Sequence, residues 1–206
     1  MDSVLKSDTE GRDEPERRSQ VMVQAAKSEE ILENLDDSLD SIDVIALFER
    51  GKIYRVTNCL EKAMNDLNAA LSIDPEYTPA LIYRSKIYRD QKQYRRALSD
   101  LNLALKIVPK NAQILRNKAK IYTLTQEYNR AEKNLNYSLK LEENQPSALK
   151  YRGKVLLKLR KYDQAIKDFD RVLEIKPNSA SGSIFLDRGE SYYKSKKYKE
   201  ALKKLE

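Results

Sequence analysis

With 206 residues and 40% hydrophobic content the chain can bury an extended core, and a complement of only five glycines suits helices. The lack of any histidine removes the imidazole base and the histidine metal ligand, and the one cysteine, Cys59, can form neither an internal disulfide nor the usual thiolate set of a zinc site. The net charge of +7 conceals a division: residues 1–43 carry 13 acidic and 5 basic side chains (net −8), whereas residues 44–206 carry 19 acidic and 34 basic (net +15), so the two parts attract.

In chain order, Met1–Ser7 has no signal-peptide apolar stretch, and no apolar run approaches the roughly 18 residues that cross a bilayer. The expectation is a cytoplasmic or nuclear chain without a membrane partner. Residues 1–18 are polar, with Gly11, Pro15 and mixed charges, and read as disordered. From Ser19 to Asp40 the pattern changes: Leu32, Leu35, Leu39 and Ile42 fall at helical spacing among Glu29, Glu30, Glu33, Asp36 and Asp37, a short acidic amphipathic helix. Two roles fit that helix, a cap over the apolar end of the next domain or a stand-in ligand that a partner must displace.

From Val44 a 34-residue pattern recurs, giving units at 44–77, 78–111, 112–145 and 146–179 and, after two inserted residues, an incomplete unit at 182–206. Position eight is small (Gly51, Ser85, Ala119, Gly153, Gly189), position eleven is Tyr54, Tyr88, Tyr122, Leu156 or Tyr192, and position twenty is alanine each time (Ala63, Ala97, Ala131, Ala165, Ala201). Positions four, seven, eight and eleven share one side of a helix, and twenty, twenty-four and twenty-seven share one side of a second. Small residues mark where the two helices approach closely, and the ring at position eleven fills the space beside them. Pro75, Pro109 and Pro177 close the units, while Thr78 followed by Pro79 opens one. No single pair can bury its own apolar face, so the units stack.

These residues resemble the tetratricopeptide repeat, whose signature of an aromatic, Leu, Gly, Tyr, Ala, aromatic and Pro has these spacings. The likeness covers 44–206. Departures are local: Leu47, Leu81, Leu115, Leu149 or Phe185 stands at the tryptophan position, and unit three has Ser138 for the second-helix alanine and Glu143 where the proline belongs. The resemblance implies an all-α solenoid of stacked antiparallel helix pairs with a concave and a convex face.

Positions two, five, nine, twelve and thirteen lie opposite the buried side of each first helix, and the resemblance implies that they line the concave face. Position nine is Lys52, Lys86, Lys120 and Lys154 in four successive units, then Glu190. Around that lysine ladder stand Arg55, Arg89, Arg116, Lys150 and Lys158 at helical neighbour spacing, with Tyr83 and Tyr151 at position six. A positive field of this kind selects acidic ligands, and the two rings can stack on a peptide side chain or a base. The plainer account is that lysine is a good helix former on any solvated face. Position seven is basic throughout (Arg50, Arg84, Lys118, Arg152, Arg188) but lies near the buried side, where the stems pack and the heads reach water or a carboxylate.

Two recognition modes of the family find no match here. A two-carboxylate clamp of Lys and Asn would need its residues at Phe48, Lys52, Tyr83, Gln113 and Asn117, or one unit later at Ile82, Lys86, Asn117, Ser147 and Tyr151, and only Asn117 fits fully. An asparagine ladder is absent as well, since position six reads Glu49, Tyr83, Asn117, Tyr151 and Asp187. No glycine-rich phosphate loop occurs, no cofactor, metal or small-molecule substrate is implied, and Cys59 reads as a plain turn residue. Glu206 falls inside the second helix of unit five, which suggests either a longer protein or an open end that self-associates. The sequence therefore reads as a non-catalytic adaptor or scaffold whose basic groove holds an acidic, extended segment of a partner protein. The alternatives are an RNA-binding solenoid using the same lysines, and a targeting module of a larger multidomain protein.

Overall fold

A computed structural model describes residues 43–177 and 182–197. The expected acidic helix at 19–40, the insertion at 180 and 181 and the second helix of unit five lie outside the described residues. Among the described residues there are nine helices and no strand: α1 (Val44–Val56), α2 (Leu60–Ile73), α3 (Thr78–Asp90), α4 (Tyr94–Ile107), α5 (Ala112–Leu124), α6 (Tyr128–Leu141), α7 (Pro146–Lys158), α8 (Tyr162–Ile175) and α9 (Gly182–Lys194).

Local chemistry sets the ends of these helices. Asp43 Oδ1 accepts from the Ile45 amide at 2.9 Å at the start of α1, and Asn111 Oδ1 accepts from the Ile114 amide at 3.0 Å at the start of α5. Pro146 opens α7, where a missing donor costs nothing. Just after the first helix of every repeat one residue takes the left-handed conformation: Asn58, Lys92, Gln126, Arg160 and Lys196, with φ between 59° and 62°. The next amide then reaches back five residues, as in Cys59 to the Tyr54 carbonyl at 2.8 Å and Gln93 to that of Tyr88 at 2.7 Å, which closes the helix end and turns the chain within three residues. Four of the five are long polar residues that carry a Cβ penalty there. Arg160→Gly should therefore raise the unfolding free energy by about 0.5–1 kcal/mol, measured as a shift of the urea midpoint at unchanged slope.

The described residues form two compact units that divide inside α3, between Tyr83 and Arg84. In the first, α1 packs on α2 with Leu47 and Gly51 against Ala63, Leu67 and Ala70, all buried. Contact is close enough that a Cβ on Gly51 would stand 3.2 Å from Leu67 Cγ and 3.3 Å from the Ala63 carbonyl oxygen.

In the second unit the helices pack in sequence from α4 to α9. Its core holds Ala119, Leu135, Leu149, Leu156, Phe169 and Val172, with Ile184 of α9 completing one side. Phe169 is fully buried, and its ring lies where a side chain on Gly153 would have to go. Ion pairs add a second tie between the helices of a repeat. Arg84 meets Asp100 through Nε at 2.9 Å and Nη2 at 2.8 Å, and Arg152 meets Asp168 through both at 2.7 Å. In the first unit Arg50 holds Asp66 in the same way, at 2.8 and 2.7 Å. The three carboxylates are buried, so the fork-to-fork geometry satisfies oxygens that water cannot reach.

Candidate partner-binding surface

Helices α1, α3, α5 and α7 each present a half-buried lysine at position nine, Lys52, Lys86, Lys120 and Lys154, while Glu190 on α9 is exposed. In the first unit the Lys52 amine pairs with Glu49 one turn earlier and lies 5.8 Å from the centroid of the Phe48 ring. Phe48 in turn meets Tyr77 and Tyr83 edge-on, at centroid separations of 5.5 and 5.3 Å. Tyr83, expected as a stacking platform, is thus the wall of an aromatic cluster. Phe48 and Ile82, at the nominally open fifth position, are both buried, Phe48 by folding onto those two rings. Burial and the carboxylates of Glu49, Asp43 and Asp74 push the Tyr77 phenol above its ordinary range. Arg55 is half-buried on the same helix face.

The second unit brings four of the expected residues into pairs. Lys120 Nζ lies 4.8 Å from the centroid of the Tyr151 ring, a cation held over a π face. Lys154 Nζ lies 3.3 Å from Asp187 Oδ2, a contact of ionic type, since that buried oxygen has no hydrogen bond among the described residues. In both, position nine of one repeat meets position six of the next. Arg89 is bound to Asp90 at 2.6 Å, and Arg116 to Glu142 at 2.7 Å with only 15% of its side chain exposed. That hydrogen bond from Arg116 holds the Glu142 carboxyl below the usual carboxylate range, against the opposing effect of burial. Lys150 is half-buried, and Lys158 is exposed with no hydrogen bond or ion pair among the described residues.

Several of the expected cations therefore have a carboxylate or a ring beside them already, and the row is partly neutralised from within. Sequence reasoning missed the cross-repeat pairing. The signal was present as a spacing of 31 residues between Lys120 and Tyr151, and of 33 between Lys154 and Asp187, where the two-residue insertion intervenes. Asn117 was also missed as a buried amide, its Nδ2 without a hydrogen-bond partner among the described residues. Charge is unequal too: residues 84–206 carry 30 basic and 14 acidic side chains, whereas residues 44–83 carry 4 and 5.

Residues 44–77 and 146–179 each match the tetratricopeptide repeat by family model. The chain is a tetratricopeptide-repeat protein. Solved structures of the same fold include a MamA protein, at 19% identity and TM-score 0.68 over 78% of this chain and 86% of that one. A thermophilic tetratricopeptide-repeat protein from Thermus thermophilus aligns at 18% identity and TM-score 0.66 over 88% of this chain and 98% of that one. YrrB, described as a tetratricopeptide-repeat protein with an unusual peptide-binding site, aligns at 22% identity and TM-score 0.63 over 84% and 86%. No curated protein matches this sequence. Tetratricopeptide repeats indicate a protein-interaction adaptor or scaffold. Among the described residues no group of histidine, cysteine and carboxylates could hold a metal ion, and no helix is long and apolar enough to cross a membrane.

Proposed function

We propose that this protein is a non-catalytic adaptor that binds an acidic, extended segment of a partner protein on the basic face of its first helices. The carrying observation is the recurrence of half-exposed lysines at one helical position, Lys86, Lys120 and Lys154, in a part of the chain with a net charge of +16. Arg89, Arg116, Lys150 and Lys158 add to that field, and Tyr151 beside Lys120 offers a ring for a ligand side chain. Lys52 and Arg55, with Tyr83, present the corresponding face of the first unit. The likeness to a repeat protein with a peptide-binding site favours a peptide over other anions.

The test compares the full chain with a Lys86→Gln, Lys120→Gln, Lys154→Gln variant in fluorescence anisotropy, using a labelled Glu/Asp-rich peptide and, separately, a single-stranded RNA of equal length. Peptide affinity should fall about tenfold or more in the variant, roughly half a kcal/mol for each charge removed, and should weaken between about 0.05 and 0.3 M salt. Equal peptide affinity for both proteins would remove the lysines from the site. Tighter binding of RNA than of peptide, with a steep salt slope, would replace the peptide reading by RNA recognition.

A further inference from the structure

Position seven carries a guanidinium clasp in three of the described repeats, each arginine meeting an aspartate sixteen residues on: Arg50 with Asp66, Arg84 with Asp100, Arg152 with Asp168. The third repeat departs at both ends. Lys118 replaces the arginine, and Asn134 stands where the aspartate would be. Asn134 does not substitute for the lost carboxylate; its Nδ2 donates to the Arg130 carbonyl at 2.8 Å within its own helix.

Lys118 is half-buried and, among the described residues, forms no hydrogen bond, ion pair or ring contact. The reason is a shortage of acids. Helices α5 and α7 contain no acidic residue at all, α4 contains only Asp100 and α6 only Glu132. Asp100 is committed to Arg84, and Glu132 takes Lys161 Nζ at 2.8 Å through both of its oxygens. Asp90, at the end of α3, is bound to Arg89. The remaining charged groups on these helices are cations: Arg116, Lys120, Lys150, Arg152, Lys154 and Lys158 on α5 and α7, Arg95, Arg96 and Lys106 on α4, and Arg130, Lys133 and Lys140 on α6. An ammonium half-shielded from water, with no counter-ion among the described residues and cations on every neighbouring helix, is destabilised relative to the free amine. Burial is the cause acting on Lys118, and it lowers the amine below the ordinary lysine range.

We propose that Lys118 is a covalent acylation site, the amine of this protein that captures acyl groups from thioesters. The neutral Nζ attacks the thioester carbonyl carbon. A C–N bond forms, the C–S bond breaks, the thiolate leaves, and the proton released from nitrogen ends on the thiolate, giving an amide and a free thiol. Acylation removes a charge that no described residue compensates, so the modified chain sheds a cost that acylation of a solvated lysine would not relieve.

The test incubates the full chain with S-acetyl-N-acetylcysteamine at about pH 7.5 and reads the acetylated fraction of each lysine by peptide mass spectrometry over time. Lys158, exposed and likewise unpaired among the described residues, is the internal reference. Lys118 should be acetylated at least about fivefold faster than Lys158, because a depressed amine pKa raises the nucleophilic fraction. Asn134→Asp restores the carboxylate found in the other repeats and should bring the Lys118 rate down to that of Lys158 or below, with the Lys158 rate unchanged. A Lys118 rate equal to or slower than that of Lys158 in the unaltered protein overturns the proposal without recourse to any variant. An Asn134→Asp protein of unaltered circular dichroism whose Lys118 still reacts at the original rate overturns it too, since the missing acid would then not be the cause.

Discussion

Gly153→Ala should lower the unfolding free energy by about 2–3 kcal/mol, a shift readable in a urea titration. A Cβ at that position would lie 2.6 Å from Phe169 Cε1 and 2.7 Å from Cζ, inside any tolerable contact. The ring cannot step aside cheaply, because Phe169 is fully buried in the core of the second unit, among residues that include Ala165, Leu156 and Val172. Gly189 provides the opposite control. It occupies the same repeat position on α9, yet among the described residues nothing lies within 4 Å of its added Cβ, so Gly189→Ala should gain up to about 1 kcal/mol from helix propensity. If both substitutions shift stability in the same direction, close packing at Gly153 is not what sets its identity.

The second large effect concerns the clasps. Asp168→Ala should cost about 2–3 kcal/mol, because it leaves Arg152, whose side chain is only 26% exposed, with the single remaining bond from Nη1 to Asn136 Oδ1 at 3.0 Å. The Asp168 side chain is 7% exposed, so water does not take over its role. Glu142→Ala removes an ion pair of similar length whose carboxylate is 48% exposed, and should cost no more than about 1 kcal/mol. Comparable losses from the two variants would mean that burial, rather than the presence of an ion pair, has been given too much weight. The double variant Arg152→Met with Asp168→Leu should recover part of the loss, since it orphans neither group.

Much of the fold was legible because repetition multiplies weak signals. One helical pattern of small, aromatic and alanine positions is ambiguous, but the same pattern at Val44, Thr78, Ala112, Pro146 and Gly182 predicts a helix at each, and α1, α3, α5, α7 and α9 begin at those residues. The arginines at position seven were also readable as packed stems with heads near an acid, although which acid was not, since the partner sits on a different helix. The lysine ladder was legible only as a row of like charges. What Lys120 and Lys154 touch depends on position six of the following repeat, and a wheel drawn for one helix contains no information about the next. Phe48 and Ile82 failed for a related reason: their positions face outward on the wheel, but the hydrophobic effect turns a large apolar side chain toward whatever neighbour can cover it. Lys118 looked like its counterparts in the other repeats until Asn134 was placed opposite it.

The third repeat is nevertheless fastened, by different means and at a different place. Ser138 Oγ donates to the Ala112 carbonyl at 3.1 Å, and Arg116 reaches Glu142, so α5 and α6 are joined where α5 begins and α6 ends. The clasped repeats are tied nearer their middle, through position seven. The turn at Gln126 fastens the opposite end, where the Glu127 amide donates to the Tyr122 carbonyl at 2.8 Å, so this pair is buckled at its two ends while, among the described residues, its middle, beside Lys118, is held by apolar packing alone.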